Sequence, residues 1–336
     1  MSLVSKTVRK LAPLGGYALA RQLCRKQPRI LMYHRFPSTS ANGRGGSEFF
    51  ERQVKYIREH YQPYTLAGLI QYADQHGKMP EHAVVITVDD GYRDFYDVAF
   101  PILRRHGVPA TLYATTGFVD GRLWLWPDKV TWLLEKACKV TVDAKIGPVV
   151  FQAMQPCENL YNSYWCPLIA YGLSIPDDQK QVFISDLADV FGLELPESTP
   201  EEFTPISWDQ LREVEAAGIE VGGHTVTHPT LGQVTEAQAR DEIYGCRNEL
   251  IHHLGDKPRT FCYPNGQPSD FQDFLLPMVE QAGYLGAVTA FPDSRGIEKR
   301  YAMRRHACGD NEYQFLKAVS GVEYLGHRVR GEAQNV

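Results

Sequence analysis

Short apolar segments alternate along the chain with segments of helical periodicity. Residues 83–88 are the clearest apolar segment, because five of the six side chains are apolar and three of them are valine. A run of this kind is typical of a strand that is buried on both faces, as in a parallel sheet. The predicted strands are residues 30–36, 83–88, 110–115, 219–223, 260–263, 285–289 and 303–307. Strands that alternate with helices predict an α/β fold with a mostly parallel sheet.

Helical periodicity fills most of the chain between these strands. The predicted helices are residues 47–60, 66–73, 99–105, a segment from 124–128 to about 137, 207–217 with Ser207 as its N-cap, 236–254, 270–282 and 311–319. Residues 117–121 are predicted to form a loop. Over residues 140–205 the pattern weakens and ends in an acidic, proline-rich stretch. We interpret this segment as an insertion packed on the main fold and not as a separate domain.

The composition is that of an ordinary globular protein, with 43% hydrophobic and 22% charged residues among 336. A net charge of -5 argues against a general nucleic-acid binder. The sequence has no uninterrupted run of 18 apolar residues, so it predicts no membrane-spanning helix. Seven cysteines without a CxxC pair favour a cytosolic protein with reduced thiols, and one extracellular disulfide is the alternative.

Positive charge is concentrated at the N-terminus. Residues 1–47 contain nine lysines and arginines and no acidic residue. We therefore predict a basic N-terminal extension at residues 1–27 and a peripheral contact between residues 1–29 and an anionic membrane. Two alternatives stay open. One is a signal peptide with its apolar part at residues 11–20, although a proline and two glycines interrupt that part, and the other is a solvated extension.

A pair of aspartates stands at the end of the strand predicted at residues 83–88. Asp89 and Asp90 follow the last apolar residue, and Gly91 comes next. Successive strand residues point to opposite sides of a sheet, but a glycine can break this alternation, and the turn can bring both carboxylates to one site. Taken alone, the triplet also fits an ordinary solvated turn.

A pair of histidines follows another predicted strand. A Gly-Gly pair ends the strand at residues 219–223, and His224 and His228 follow, four residues apart. On a single helical turn two such imidazoles share a face and could bind one ion. Two imidazoles and one carboxylate are a ligand set of catalytic zinc. Because the C-terminal strand ends form the site in barrel enzymes, we expect the histidines and the aspartates to meet there. A solvated surface pair is the alternative.

With both motifs, the chain resembles the polysaccharide deacetylase family, also known as the NodB-homology or carbohydrate esterase family. The family motif Thr-Phe-Asp-Asp-Gly matches residues 87–91, and the motif His-Ser/Thr-x-x-His matches residues 224–228. Residues 261–266, Phe-Cys-Tyr-Pro-Asn-Gly, are similar to the Phe-Ala-Tyr-Pro-Tyr-Gly of one branch. The resemblance extends over about residues 28–319 and includes Leu-Met-Tyr-His at residues 31–34.

The resemblance implies a fold and a domain organisation. The fold is a distorted (β/α) barrel of seven or eight mostly parallel strands. It occupies residues 28–325 as a single domain that carries the insertion at about residues 140–205. Residues 326–336 are then a C-terminal tail.

Carried over residue by residue, the resemblance also implies a chemistry. Asp90, His224 and His228 would bind a divalent metal, most readily zinc, with cobalt or nickel as alternatives. Asp89 would be the general base that takes a proton from water. The developing oxyanion would be held in part by a backbone N–H after the aspartates, that of Tyr92. The reaction is the removal of N-acetyl groups from sugars.

Two family positions are altered in this chain. Members with the motif Arg-x-Pro-Tyr have an arginine where Cys262 stands, and Arg304 and Arg305 are the candidates for its role. The motif Leu-x-His, whose histidine protonates the leaving amine, has its nearest match in a stretch that is one residue longer and ends at His306. His306 is therefore one candidate for the general acid, and His34 is the other.

Further candidates for substrate contacts lie near the predicted strand ends. They are Tyr92, Trp126, Asp128, Tyr263, Pro264, Asn265 and Arg305. For Trp126, a place in the core is the alternative to stacking on a sugar.

The expected function is that of a metal-dependent de-N-acetylase acting on an N-acetylated sugar of a glycan, or of a glycan precursor that includes lipid-linked forms, in surface polysaccharide synthesis. The expected location is the cytoplasm, with a peripheral membrane contact, and secretion stays open. One alternative is a secreted chitin or peptidoglycan deacetylase. The other is a carbohydrate-binding pseudo-enzyme, against which the intact Asp89 argues, since a binding protein needs no base.

Overall fold

The computed structural model describes residues 15–37, 46–137, 144–151, 160–334 and 336. Residues 1–14 of the predicted basic extension and parts of the predicted insertion lie outside the described residues. Among the described helices, none has both the length and the apolar character that crossing a bilayer requires.

A curled sheet of eight parallel strands among the described residues forms the frame of the molecule. The sheet comprises β1 (Arg29–Tyr33), β2 (Gln62–Tyr64), β3 (Ala83–Val88), β4 (Thr111–Ala114), β7 (Glu220–Gly223), β8 (Phe261–Cys262), β9 (Ala287–Val288) and β10 (His306–Ala307), and a separate antiparallel ribbon comprises β5 (Lys145–Ile146) and β6 (Val149–Val150). The order in the sheet is β10-β1-β3-β4-β7-β8-β9, and β2 pairs with the first half of β3. The predicted fold class is confirmed.

Helices cover the sheet between successive strands. They are α1 (Gly16–Leu23), α2 (Gly46–His60), α3 (Leu66–His76), α4 (Phe100–His106), α5 (Thr116–Val119), α6 (Trp126–Lys136), α7 (Leu160–Ser174), α8 (Lys180–Phe191), α9 (Trp208–Ala216), α10 (Glu236–Leu254), α11 (Leu275–Gln281), α12 (Glu312–Ser320) and α13 (Val322–Arg330). Ser207 caps α9 as predicted, in a reciprocal arrangement with Gln210.

The structure differs from the predicted elements at residues 117–121 and at residues 270–282. Residues 117–121 were expected to be a loop, but α5 begins there, since the N–H groups of Thr116 and Gly117 donate to the carbonyls of Thr225 and Val226. The helix predicted at residues 270–282 is only α11, because a 3-10 turn over Pro268–Asp270 precedes it. Neither tertiary contacts nor turn chemistry of this kind shows in the helical periodicity.

Alternating side chains along the strands form two apolar layers. On β3, Val84, Ile86 and Val88 pack in the larger cluster under the outer helices. Ala83 and Val85 pack on the other face, with residues from β1, β4, β8 and β9 and with α3. The second face is therefore the concave side of the sheet, and odd-numbered residues of β3 point into it.

The insertion has an apolar cluster of its own. Leu168 of α7 and Phe183 and Leu187 of α8 pack with Val130 and Leu133 of α6. Helix α6 thus joins the insertion to the barrel. The N-terminal end of α6 lies beside the C-terminal edge of the sheet. The insertion consequently lies next to one side of this C-terminal edge.

Candidate active site

A cavity of about 500 Å³ opens at the C-terminal edge of the parallel sheet. Its described lining residues are Met32, His34, Arg35, Asp89, Asp90, Tyr92, Leu125, Pro127, Asp128, Thr131, Tyr161, Trp165, Ile169, Leu173, Phe203, His224, His228, Asn265, Gln267, Ala290 and Arg305. The residues after β1, β3 and β7 meet here because parallel strands end at the same edge. Both predicted motifs contribute to the cavity.

Asp90, His224 and His228 form a buried cluster at the floor of this cavity. Nε2 of His224 lies 3.4 Å from Oδ1 of Asp90, and Nε2 of His228 lies 3.3 Å from the same oxygen. Potential ligand atoms of the three residues all lie within 4.8 Å of one another. Burial alone would raise the pKa of Asp90, but the two neighbouring imidazoles hold it well below its ordinary value. One small cation could contact all three groups.

The tautomer of His224 tests whether a cation fits this cluster. Nδ1 of His224 lies 2.8 Å from the carbonyl oxygen of Cys262, which can only accept, so this nitrogen carries the proton. In the neutral ring Nε2 is then a bare lone pair that faces the carboxylate of Asp90. Two electron-rich atoms at this distance repel each other, and a divalent cation between them removes the repulsion. An imidazole fixed through its other nitrogen is also the usual form of a metal ligand. The residues present therefore fit a divalent metal.

The backbone of the cluster is strained. The φ angles of Asp90, Thr225, His228 and Asn265 are 76°, 68°, 62° and 61°, and each of these residues lies in the left-handed region although none is a glycine. The turn that brings both carboxylates to the site thus begins at Asp90 itself, not only at the glycine that follows it. Strain of this kind concentrates at functional sites, where the surrounding structure holds it in place.

Polar side chains behind the cluster hold the histidine loop. Glu242 of α10 accepts from the N–H groups of Val226 and Thr227 at 2.8 Å each and from the hydroxyl of Thr227 at 2.6 Å. The hydroxyl of Thr115 donates to the carbonyl of His224 at 3.1 Å. Sequence reasoning missed these positioning residues, because a glutamate inside a long helix gives no sign of the loop it faces.

The Gly-Gly pair before His224 has a packing role. A Cβ on Gly222 would lie 2.5 Å from the carbonyl oxygen of Thr260, and one on Gly223 would overlap the phenol of Tyr284. The two glycines therefore allow β7 to pack closely against its surroundings just before the site.

Asp89 lies beside the cluster and is held by Arg305. The guanidinium donates two hydrogen bonds, from Nη1 to Oδ1 at 2.6 Å and from Nη2 to Oδ2 at 2.7 Å. Burial would raise the pKa of Asp89, but the charge of Arg305 outweighs it and the pKa lies below its ordinary value. Asp89 is thus ionised and fixed in direction.

Arg305 itself contacts three further residues. It donates to the carbonyl of Thr289 at 2.7 Å and to the hydroxyl of Thr87 at 3.0 Å, and its Nη2 lies 3.1 Å from Sγ of Cys262. The guanidinium therefore lies next to the side chain of Cys262, the position at which the resemblance expects an arginine. Of the two predicted candidates, Arg305 is at the site, whereas Arg304 pairs with Asp293 elsewhere.

The two candidate acids occupy different surroundings. His34 lines the cavity, its side chain is 48% exposed, and its Nε2 lies 3.6 Å from Oδ2 of Asp89. His306 is buried, and its Nδ1 donates to Glu323 at 2.7 Å. Because Arg305 points to the concave side, the next residue along the strand points to the opposite side. His306 is therefore not among the residues that line the cavity, whereas His34 is.

Tyr92 and Asp128 form a second polar group in the cavity. The hydroxyl of Tyr92 donates to Oδ2 of Asp128 at 2.7 Å, and the guanidinium of Arg35 lies 4.1 Å from the centre of the Tyr92 ring. Arg35 also donates to Asp94 at 2.7 Å. Burial raises the pKa of Asp128 to about 7. Tyr92 and Asp128, two of the predicted substrate contacts, both line the cavity.

The remaining predicted contacts divide between the cavity and the core. Asn265 lines the cavity, and its amide donates to Thr230 at 3.2 Å. Tyr263 is buried and donates to the carbonyl of Tyr301, and neither it nor Pro264 lines the cavity. Trp126 also lies off the cavity. The structure therefore brings Asn265 to the cavity but not Tyr263, Pro264 or Trp126.

Core packing explains the position of Trp126. Its ring lies 6.5 Å from that of Phe183 in α8, and it closely approaches Gly172 of α7. The indole thus fills the joint between α6 and the insertion. Trp126 therefore has a core position, which was the alternative to stacking on a sugar.

Fold and site together define a (β/α) half-barrel with two histidines and two aspartates at the ends of two strands. The family model of the polysaccharide deacetylases matches residues 76–146 and 180–287, which is more than half of the chain. The chain belongs to the polysaccharide deacetylase family.

Parts of the chain are similar to curated bacterial proteins. YxkH of Bacillus subtilis is 36% identical over 85 residues, which are 25% of this chain and 30% of that protein. The poly-beta-1,6-N-acetyl-D-glucosamine N-deacetylase of Staphylococcus aureus is 34% identical over 70 residues, which are 21% of this chain and 24% of that protein. These matches span less than a third of the length of either relative.

Solved structures share the fold over nearly the whole chain. The Streptococcus pyogenes deacetylase PplD, in complex with acetate, aligns with a TM-score of 0.55 and 18% identity over 87% of this chain and 98% of that one. IcaB from Ammonifex degensii aligns with a TM-score of 0.54 and 17% identity over 89% of this chain and 97% of that one. At this level of identity the likeness shows the fold alone.

Proposed function

We propose that the chain is a metal-dependent hydrolase that removes N-acetyl groups from a sugar of a polysaccharide or of its precursor. One observation carries the proposal. Nε2 of His224 and Nε2 of His228 face one carboxylate oxygen in a buried cluster, and the second carboxylate, Asp89, is kept ionised beside it without being a member of that cluster. This arrangement supplies three metal ligands and a separate base.

Asp90, His224 and His228 would hold the ion, for which zinc is the first candidate and cobalt and nickel are alternatives. A divalent ion bound there supplies Lewis acidity at the acetyl carbonyl and lowers the pKa of water. All other parts of the reaction can be derived from the residues of the chain.

Asp89 is placed to accept the proton of the attacking water. The oxygen of that water forms a bond to the acetyl carbon, and the backbone N–H of Tyr92 is our candidate donor to the resulting oxyanion. Arg305 holds Asp89 in its ionised form and fixes the direction of its two oxygens. The base is therefore ready before substrate binds.

His34 is placed to complete the reaction. When the carbon–nitrogen bond breaks, acetate leaves and the amine nitrogen needs a proton. His34 lines the cavity close to Asp89 and is half exposed, so it can exchange protons with solvent between turnovers. It takes the role of general acid in our proposal.

The similarity to the Staphylococcus aureus enzyme supports an N-acetylglucosamine polymer as the substrate. We extend the proposal to a glycan precursor, including lipid-linked forms, met on the cytoplasmic side of a membrane. Helix α1 supports a peripheral contact, since Leu19 and Leu23 are 62% and 65% exposed and stand close in sequence to Arg25 and Lys26.

Acetate release and metal content test the proposal together. The substrate is a soluble β-1,6-linked N-acetylglucosamine oligomer, and the proteins are the wild type, Asp89→Asn and His228→Ala. We expect Asp89→Asn to keep its metal while kcat falls by about 10²–10⁴. We expect His228→Ala to lose both metal and activity. Near-normal turnover of metal-loaded Asp89→Asn would refute the assigned base, and binding of the oligomer without acetate release by the wild type would indicate a pseudo-enzyme.

A further inference from the structure

The insertion contributes one side of the cavity through a single face of α7. Tyr161, Trp165, Ile169 and Leu173 all line the cavity and follow one another at intervals of four residues. Side chains at this spacing share one face of a helix. We call these four residues the insertion wall. None of them is needed for the chemistry described above.

The two aromatic members of the insertion wall form an ordered pair. The rings of Tyr161 and Trp165 lie 5.9 Å apart at an angle of 35°. Nε1 of Trp165 donates to the hydroxyl of Thr131 on α6 at 2.9 Å, and that hydroxyl donates to the carbonyl of Pro127 at 3.0 Å. The polar atom of the indole is therefore already satisfied, its ring is fixed, and only apolar aromatic surface remains for a ligand.

The rest of the cavity lining has a different chemistry. Asp128, Asn265 and Gln267 line it together with the metal-ligand cluster. A pyranose ring has apolar C–H faces and a rim of hydroxyl groups, so it matches a cavity with one aromatic side and several hydrogen-bonding groups elsewhere. The volume of about 500 Å³ lies within the range of ligand-binding pockets, which are mostly apolar with a few placed polar groups.

Charge argues against a phosphate group at this wall. The two arginines that line the cavity are already paired, Arg35 with Asp94 and Arg305 with Asp89. Within the described part of the chain, no lysine lines this cavity. A phosphate-bearing lipid head would thus find no unpaired lysine or arginine there, whereas a neutral sugar needs none.

We propose that the insertion wall is a sugar-binding subsite, which holds the glycan residue next to the one that loses its acetyl group. The proposal rests on the proposed deacetylase function and adds to it a preference for oligomers over single sugars. Tyr161 is the most accessible member, with 39% of its surface exposed, and it offers its ring to the substrate at the open end of the wall.

The dependence of acetate release on chain length tests the subsite. Wild type, Tyr161→Ala and Trp165→Ala are compared on an N-acetylglucosamine monosaccharide and on a tetrasaccharide. We expect KM of the wild type to be lower for the tetrasaccharide. We expect the alanine variants to raise that KM up to about tenfold, which corresponds to the loss of about 1.4 kcal/mol of aromatic contact. Turnover of the monosaccharide and metal content should not change.

Two further variants guard against trivial effects. Tyr161→Phe keeps the ring and should behave as the wild type. Val182→Ala removes an apolar side chain that is 61% exposed on α8 but does not line the cavity, and it should have no effect. If Trp165→Ala does not fold, Tyr161→Ala still tests the subsite, because its ring is more exposed.

The outcomes separate the two proposals. If the wild-type protein releases acetate from neither sugar, the proposed function is refuted. An active wild type whose preference for the tetrasaccharide survives in Tyr161→Ala and Trp165→Ala refutes the subsite alone. An effect of these variants only on substrates with an apolar lipid group would also refute it, since the wall would then bind lipid and not sugar.

Discussion

Arg305 donates to both carboxylate oxygens of Asp89, and its Nη2 also lies next to the sulfur of Cys262. The resemblance implies an arginine at position 262, where this chain has a cysteine. The side chain of Arg305, which directly precedes β10, lies next to that position instead. The guanidinium reaches the same base from a different strand, and an ionised carboxylate is kept in a buried position that would otherwise favour its protonated form.

Replacing Arg305 should therefore change the pH dependence of the reaction. In Arg305→Gln the pKa of Asp89 loses the contribution that lowers it, so it rises. Because the base must be ionised to act, the acidic limb of the kcat/KM profile should move to higher pH, and kcat should fall by about 10²–10³ as for other losses of a preorganised group. Arg304→Gln is the matched control, since it breaks a similar buried ion pair with Asp293 away from the cavity. An acidic limb that stays in place in Arg305→Gln would show that another group is the base.

His34 and His306 should have separable roles. We expect His34→Ala to lower kcat with little change in KM, because the proton donor acts on the leaving amine and not on binding. We expect His306→Ala to retain kcat but to lower the free energy of unfolding, because it removes one of the two partners, His306 and Lys317, of the half-buried Glu323. Kinetics and denaturant unfolding of both variants check this. Loss of turnover in folded His306→Ala would reverse the assignment.

The ion pair between His306 and Glu323 should show in the acid stability of the protein. Burial would raise the pKa of Glu323, but hydrogen bonds from His306 and Lys317 lower it to about 2. A carboxylate with a lowered pKa stabilises the fold above its unfolded pKa of about 4.3, and this contribution is lost as the pH falls from there towards about 2. Unfolding free energies measured across that range should fall more steeply for the wild type than for Glu323→Gln. Equal slopes would contradict the lowered pKa.

The proposed membrane contact of α1 is best tested with point variants. Ala20 and Cys24 of this region are buried, so deletion of residues 1–27 would also uncover part of the core. Leu19→Gln with Leu23→Gln changes only exposed side chains. We expect this pair to reduce binding to anionic vesicles, an effect that salt also weakens, and to leave turnover of a soluble oligomer unchanged. If the wild-type protein does not bind anionic vesicles at low salt, the proposed membrane contact is refuted.

The sequence was sufficient to predict the frame of the site. Asp89, Asp90, His224 and His228 follow apolar strands, and parallel strands end at one edge, so their approach follows from the pattern alone. The strand ends do not follow from this pattern, because tertiary pairing decides them. The predicted strand at residues 303–307 is only β10, with residue 303 pairing as an isolated bridge to β9.

Contacts between side chains on different strands could not be predicted from the sequence. Nothing in the spacing between Cys262 and Arg305 says that their side chains touch, and only the shared concave face explains it. The sequence also does not show on which side of the sheet His306 lies, since one residue along a strand reverses the direction of a side chain. The insertion wall was missed because α7 is apolar on most of its surface, so its periodicity does not show which face meets a cavity.

The left-handed backbone at Asp90, Thr225, His228 and Asn265 has a consequence for the evolution of heat resistance. Each such conformation costs about 1–3 kcal/mol for a residue with a side chain, and glycine would relieve most of it. Selection for thermal stability alone would therefore favour glycine at these four positions. The variants with the higher thermal stability would then be the inactive ones. A thermotolerant and active form of this protein has to gain its stability at positions remote from the loops that carry these four residues.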